Sequence, residues 1–140
     1  KERLFVSRAA EAGNLPLYAP YEDPESGLAE LSAQIQSRLP ISVLLLGMGA
    51  DMHTASLFPG ADQLGRALTS DAPPLLAMRL PGAPEPRITL SAPVLDAALA
   101  KHIVIFGEEK RAALEQAQRL SSPEAPVSAV LSGASVHWAE

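Results

Sequence analysis

The apolar positions of the chain follow two patterns, one typical of helices and one typical of buried strands. Leucine or isoleucine recurs at every third or fourth position between residues 28 and 39, which predicts an amphipathic helix over residues 24 to 38. Asp23 and Pro24 precede this pattern and suit the N-cap and the first helical position. The residues that follow form an almost uninterrupted apolar run, which predicts a strand over residues 41 to 47 that is buried on both faces.

Helical and strand patterns continue to alternate along the rest of the chain. Because strands alternate with helices, the sequence predicts an α/β fold in which a mostly parallel sheet is flanked by helices. Further strands are predicted over residues 75–80, 87–90, 102–106 and 135–139, and further helices over residues 2–12, 62–68, 93–100, 108–120 and 126–131.

The composition limits the classes of partner. The 140 residues allow one domain, and 47% of them are apolar, as in globular proteins. The net charge of −5 and the lack of a basic cluster disfavour nucleic acid and anionic membranes as partners, so an anionic ligand needs a local positive site. The absence of cysteine excludes thiolate chemistry and fits a cytoplasmic protein.

A glycine-rich turn after the strand at 41 to 47 carries the main candidate chemistry. Such a turn lies where open α/β sheets place their ligands, and here it contains Asp51 and His53. A carboxylate can hold an imidazole in one tautomer and raise its basicity, so His53 is the candidate general base and Asp51 its partner. Gly47 and Gly49 would let backbone amides approach a substrate closely.

Each of these residues also has a purely structural explanation. A loop aspartate readily bonds to its own backbone, and glycines are common in a turn after a strand. Thr54 and Ser56 are placed to open a short helix whose N–H groups could receive an anion, although capping alone would explain them. His102 and His137 are interpreted as surface or packing residues.

Several other kinds of site lack their sequence signals. The three histidines have no metal-ligand spacing, so we expect no metal. The glycine-rich turn lacks the third glycine and the acidic partner of a dinucleotide fingerprint, so the turn is not interpreted as a dinucleotide site. No Gly-x-Ser-x-Gly elbow of serine hydrolases occurs.

Residues 47 to 60 read Gly-Met-Gly-Ala-Asp-Met-His-Thr-Ala-Ser-Leu-Phe-Pro-Gly. This string closely resembles the active-site motif of the 6-phosphogluconolactonase family, whose usual form is Gly-Met-Gly-x-Asp-Gly-His-Thr-Ala-Ser-Leu-Phe-Pro. Met52 replaces a family glycine, and we expect an ordinary backbone there with the side chain packed beside the site. The resemblance covers nearly all of the chain, because further segments match the same family in the expected order: residues 86–91, 93–98, 103–110, 126–131 and 136–138.

The resemblance implies a Rossmann-like fold of the isomerase/lactonase type and an enzyme of the pentose phosphate pathway. The implied reaction is cofactor-free hydrolysis of 6-phospho-D-glucono-1,5-lactone to 6-phospho-D-gluconate, in which His53 activates water and Asp51 assists. It also implies that Arg87 and Lys110 bind the phosphate. Arg79, at the end of a predicted strand, is a weaker third candidate. Backbone amides of the turn at 47–50 are candidates for stabilising the oxyanion.

The same resemblance indicates a missing part. Family members are longer and carry, in their first part, a Ser-Gly-Gly-Ser loop and an Asp-Glu-Arg strand end that do not occur here. We therefore expect residues 1–140 to be the C-terminal portion of a single 6-phosphogluconolactonase-like domain, with an incomplete fold. Such truncation would expose an apolar face and a sheet edge, through which the chain could self-associate.

Two alternative functions remain open at this point. A sugar-phosphate isomerase/deaminase would share a similar fold, but those enzymes carry Asn-Glu-Pro shortly after the motif, where this chain has Leu57-Phe58-Pro59. A non-catalytic sugar-phosphate-sensing module would need an attached DNA-binding segment, which these residues do not contain. Both rank below the lactonase.

Overall fold

A computed structural model of the protein describes residues 5–18, 21–83 and 85–140. The described residues include helices α1 (Leu28–Gln36), α2 (Leu64–Ala67), α3 (Ala92–Asp96), α4 (Glu108–Ala117) and α5 (Ser128–Leu131). They also include strands β1 (Val43–Gly47), β2 (Leu75–Met78), β3 (Arg87–Leu90), β4 (Ala100–Phe106) and β5 (Ala134–Ala139). No helix in these ranges is long and apolar enough to cross a lipid bilayer.

A parallel sheet forms the centre of the fold. Its order is β1-β4-β5, with Gly47 of β1 opposite Val104 of β4. Strands β2 and β3 form a separate antiparallel pair. The predicted α/β fold with a mostly parallel sheet is therefore confirmed. Because β1 and β4 run side by side in the same direction, the turn after β1 and the start of α4 meet at one edge of the sheet.

Strand β1 is buried on one face only, so the prediction that both faces are buried was wrong. Leu44 and Leu46 are buried, whereas Val43 is 64% and Leu45 is 69% exposed. The physical reason is that core residues of α2, α3, α4, α5 and β2 cluster with Leu44 and Leu46 on a single face of the strand. Phe106 of β4 is 64% exposed as well. We call Val43, Leu45 and Phe106 the open face.

The opposite side of the sheet carries the hydrophobic core. Burying a leucine or isoleucine side chain in such a core contributes about 1.5–3 kcal/mol. Lys101 is an exception on β4, since it is 8% exposed and forms a salt bridge with Asp96 at the end of α3. The core joins both sheets to the helices and includes Leu44, Leu46, Leu57, Phe58, Leu64, Leu76, Leu95, Ile103, Ile105, Leu114, Val127 and Val130.

The N-terminal helices are shorter than predicted. The helix expected over 24–38 divides into a 3₁₀ turn at Glu25–Gly27 and helix α1. The Asp23 carboxylate accepts hydrogen bonds from the backbone N–H and hydroxyl of Ser26 at 2.8 and 2.9 Å, as expected near a helix start. Of the helix expected over 2–12, the described residues contain only a 3₁₀ turn that begins at Ser7, whose φ of 53° does not fit an α-helix.

Candidate active site

The loop after β1 folds back on the end of the strand. The Gly49 carbonyl accepts a hydrogen bond from the Met52 N–H at 2.9 Å, and the Gly49 N–H donates to the His53 carbonyl at 3.1 Å. The Thr54 side chain is fully buried, and its hydroxyl donates to the Gly47 carbonyl at 2.9 Å. These hydrogen bonds fix the backbone of the loop and therefore the direction in which the His53 side chain extends from it.

Met52 adopts a left-handed backbone with φ of 64°, so the expectation of an ordinary backbone was wrong. The physical reason is the hydrogen bonding on both sides of the residue. Its N–H is held by Gly49, and its carbonyl accepts a bond from the buried Val127 N–H at 3.1 Å. The side chain is half-buried against the core. A non-glycine residue in this conformation costs on the order of 1 kcal/mol.

Asp51 and His53 form a hydrogen-bonded pair. The distance from His53 Nδ1 to Asp51 Oδ1 is 2.5 Å, and the His53 backbone N–H donates to the same oxygen at 3.2 Å. Burial raises the pKa of Asp51, but the hydrogen bonds from the side chain and backbone of His53 outweigh it and hold the pKa below its usual value. An ionised carboxylate only accepts hydrogen bonds, so Nδ1 carries the proton and Nε2 is left as the basic atom.

Gly49 has a steric role in this pair. A Cβ atom at Gly49 would overlap Nδ1 and Cε1 of His53 and Oδ1 of Asp51. The imidazole and the carboxylate therefore pack directly over the Gly49 Cα. The glycine is needed at this position for space, because its φ does not lie in the left-handed region.

An open cleft of about 440 Å³ lies beside the pair, within the usual size range of small-molecule sites. Four of the residues that the sequence singled out line it together: Gly47, Gly49, His53 and Lys110. Lys110 lies half-buried in the first turn of α4. Leu45, Leu46, Met48 and Ala55 complete the lining.

The start of α4 adds to the positive character around Lys110. Gly107 precedes the helix with φ of 84°, and no side chain caps the first N–H groups. Uncapped N–H groups at a helix start favour anions. Glu108 and Glu109 in the first turn oppose this effect in part, although Glu108 lies 3.7 Å from the Arg111 guanidinium.

Arg87 is connected to the site by the ring of Phe58, which contacts both Arg87 and His53. Its guanidinium carbon is 4.9 Å from the centre of the Phe58 ring, and the same ring lies 4.2 Å from the centre of the His53 imidazole. Arg79 is not brought to the cleft. Its guanidinium instead pairs with both carboxylate oxygens of Glu25 at 2.5 and 2.9 Å.

The expected helix start at Thr54 and Ser56 does not form. Residues 54 to 57 make a tight turn, in which the Leu57 N–H donates to the Thr54 carbonyl at 2.9 Å, and α2 begins only at Leu64. The physical reason is the left-handed Ala55, whose φ is 50°, together with the bond from the Thr54 hydroxyl to β1. The Ser56 N–H donates to Thr89 Oγ1 at 3.2 Å, so it is not directed at an anion.

The remaining histidines lie outside the cleft. His102 on β4 and His137 on β5 contact each other, with Nδ1 of the first 3.0 Å from Nε2 of the second. Across the described ranges, no three side chains of histidine, aspartate or glutamate come together in a way that could hold a metal ion.

Comparison with known proteins identifies the family. The protein-family model described as glucosamine-6-phosphate isomerases/6-phosphogluconolactonase matches residues 1–138. The chain belongs to this family. Its relatives include the 6-phosphogluconolactonase of Rhizobium meliloti strain 1021, which is 37% identical over 99% of this chain and 62% of its own length. The 6-phosphogluconolactonase of Pseudomonas aeruginosa PAO1 is also 37% identical, over 99% of this chain and 60% of its own.

Solved structures of the family show the same fold. A crystal structure of a 6-phosphogluconolactonase from Shewanella baltica OS155 matches 98% of this chain and 61% of its own, with a TM-score of 0.90 and 31% identity. A monomeric glucosamine-6-phosphate deaminase shares the fold at a TM-score of 0.59 and 18% identity. The chain spans about three fifths of the length of the curated relatives it matches.

In this member of the family, sequence reasoning missed two structural contributors to the site. Phe58 belongs to the motif, but an aromatic residue in an apolar run predicts only core packing, and its contact with Arg87 joins distant parts of the chain. Gly49 was predicted to admit substrate, whereas its contact with the Asp51–His53 pair depends on side-chain placement.

Proposed function

We propose that the protein hydrolyses 6-phospho-D-glucono-1,5-lactone to 6-phospho-D-gluconate. The observation that carries the proposal is the Asp51–His53 pair at a cleft that also holds Lys110. Relatives named 6-phosphogluconolactonase add support, since two of them are 37% identical to this chain.

The geometry supports general-base catalysis by the imidazole. Nε2 of His53 removes a proton from water, and the resulting hydroxide attacks the lactone carbonyl at C1. The tetrahedral intermediate collapses with cleavage of the bond between C1 and the ring oxygen, which takes a proton from the imidazolium. Asp51 keeps the imidazole in the required tautomer and stabilises its charged form. No cofactor takes part in these steps.

The oxyanion of the intermediate requires donors near C1. Among the amides of the turn at 47–50, the Gly49 N–H already donates to the His53 carbonyl. The proposal therefore assigns this role to the other amides of the turn, where Gly47 and Met48 line the cleft.

The phosphate needs fixed cations because the chain as a whole carries a net charge of −5. Lys110 and the uncapped start of α4 supply positive potential inside the cleft. Arg87 supplies a planar guanidinium suited to two parallel hydrogen bonds with phosphate. Within the described residues, neither Lys110 nor Arg87 forms a salt bridge.

The isomerase/deaminase alternative is less well supported. In that reaction a glutamate assists ring opening, and the Asn-Glu-Pro segment that supplies it is replaced here by Leu57-Phe58-Pro59. Leu57 is fully buried and Phe58 is 7% exposed, so both belong to the core. The sensing alternative does not account for the hydrogen-bonded Asp51–His53 pair.

The setting of the reaction is also part of the proposal. The absence of cysteine supports a cytoplasmic location. The interpretation of residues 1–140 as the C-terminal portion of a single 6-phosphogluconolactonase-like domain stays a prediction from the motifs that they resemble. The partner is the sugar-phosphate lactone, and neither nucleic acid nor membrane is involved.

The decisive experiment measures hydrolysis of freshly generated lactone, corrected for its spontaneous opening. We compare the intact protein with His53→Ala and with His137→Ala, a matched histidine on β5 outside the cleft. We expect His53→Ala to lower kcat about 10²- to 10⁴-fold and His137→Ala to leave it unchanged. A folded wild-type protein that does not exceed the spontaneous rate would refute the proposal.

The open face makes self-association a second part of the proposal. Val43, Leu45 and Phe106 expose apolar side chains on neighbouring strands, and such patches favour association. Size-exclusion chromatography over a concentration series should show oligomers of this chain that Leu45→Lys reduces. A wild-type chain that stays monomeric at every concentration would contradict this expectation.

A further inference from the structure

Phe58 contacts two of the groups to which the proposed reaction assigns roles. Its ring centre is 4.2 Å from that of the His53 imidazole, with an angle of 31° between the ring planes. The Arg87 guanidinium carbon is 4.9 Å from the same ring centre, within the range of a cation–π contact. One aromatic side chain thus touches both the candidate base and a candidate phosphate-binding cation.

The Phe58 ring itself is firmly held. It is 7% exposed and belongs to the hydrophobic core. The loop that carries it is bound to β3, the strand of Arg87, because the Ser56 N–H donates to Thr89 Oγ1 at 3.2 Å. Thr89 is almost fully buried and bonds to the Leu90 carbonyl at 3.1 Å. The ring and the backbone of Arg87 therefore lie in one rigid arrangement.

The cation–π contact with Phe58 is the interaction that restrains the side chain of Arg87 among the described residues. Within the described residues this side chain forms neither a salt bridge nor a side-chain hydrogen bond, whereas Arg66 and Arg79 each pair with a carboxylate. An arginine that is free in solvent loses conformational entropy when it binds phosphate. A ring that restricts the guanidinium beforehand reduces this loss and leaves its N–H groups free to bind the anion.

We propose that Phe58 is a positioning residue that holds the His53 imidazole and the Arg87 guanidinium in a fixed relation to each other. The base then acts at the lactone carbonyl while the cation binds the phosphate at the other end of the same substrate. This inference rests on the proposed function. A leucine at position 58 could fill the core space, but it has no aromatic face for either contact.

A double-mutant cycle tests the inference in the intact protein with Phe58→Leu, Arg87→Met and the double variant. Binding of 6-phosphogluconate is measured by calorimetry, and kcat and KM are measured on the lactone. Phe58→Leu should weaken binding about two- to five-fold when Arg87 is present and leave it almost unchanged in the Arg87→Met background. It should also lower kcat, by about 10-fold, in both backgrounds, because His53 loses its stacking partner.

A spectroscopic measurement tests the two contacts themselves. In the wild-type protein the Phe58 ring current should shift the NMR signals of the His53 ring and the Arg87 side chain, and Phe58→Leu should remove both shifts. Phe5→Leu is the matched control, since among the described residues this half-buried ring makes no aromatic contact with His53 and no cation–π contact with Arg87. The control should leave the shifts, binding and kcat unchanged.

The possible results separate this inference from the proposed function. A wild-type protein that hydrolyses the lactone while the effects of Phe58→Leu and Arg87→Met on 6-phosphogluconate binding multiply independently would overturn the role of Phe58 alone. A wild-type protein that binds 6-phosphogluconate without hydrolysing the lactone would refute the lactonase, and the binding cycle would still decide the role of Phe58. A wild-type protein that neither binds nor hydrolyses would overturn both.

Discussion

Gly49→Ala tests the geometry of the site without removing any functional group. A Cβ at this position would overlap His53 and Asp51 at three atoms, so the imidazole and the carboxylate must move from the positions in which they form their hydrogen bond. The side chains of His53 and Asp51 are 30% and 54% exposed, which leaves room for them to move outward. The substitution should therefore separate the pair while the fold persists.

The expected magnitude differs between activity and stability. A displacement of about 1 Å at a catalytic group costs about 10²-fold in rate, so kcat should fall about 100-fold. Replacing glycine by alanine reduces the entropy of the unfolded chain, which stabilises by about 0.4–1 kcal/mol where the backbone permits alanine. Since φ at Gly49 permits it, this gain offsets the cost of moving the two side chains, and the free energy of unfolding should change by less than about 1 kcal/mol.

Three measurements check this prediction, with Gly65→Ala on α2 as the control. A Cβ at Gly65 meets nothing within 4 Å, so the same chemical change should leave kcat unaltered there. Lactone hydrolysis gives kcat, denaturant unfolding gives stability, and NMR titration of the Asp51 carboxyl should show its pKa returning towards the usual value. A folded Gly49→Ala protein with kcat within two-fold of the wild type would refute the reasoning.

Further predictions concern stability and are measured by urea unfolding. Met52→Gly should be more stable than Met52→Ala by about 1 kcal/mol, because only glycine relieves the left-handed backbone, and the opposite order would contradict the φ of 64°. Asp96→Ala should destabilise by about 1–3 kcal/mol because it leaves the buried Lys101 ammonium unpaired, whereas Lys101→Met should stay within about 1 kcal/mol of wild type. The depressed pKa of Asp51 means that its contribution to stability is present above its unfolded pKa of about 3.9 and is lost as the pH falls through the folded value. Asp51→Asn should therefore destabilise the protein at pH 6, and the difference from wild type should shrink as the pH falls below about 3.9. A difference that stays constant as the pH falls would contradict this origin.

The sequence by itself determined the order of the elements and the position of the candidate base. Apolar periodicity located β1, β4 and α4 because the spacing of buried side chains follows directly from helix and strand geometry. The turn that carries Asp51 and His53 followed from the strand before it, since ligand sites lie at the carboxyl ends of parallel strands. The contact between two residues so close in sequence is a local property of the loop.

Tertiary structure alone decided which distant residues join that loop. The sequence ranked Lys110 above Arg79, but only the structure shows that Lys110 lines the cleft and that Arg79 pairs with Glu25, because each depends on contacts between separate elements. The left-handed backbone of Met52 is held by a local hydrogen bond to Gly49 and by a second one to Val127, far along the chain. The open face of β1 likewise depends on where the helices pack. An apolar run in the sequence indicates that a strand can be buried, but it does not indicate which face of the strand is covered.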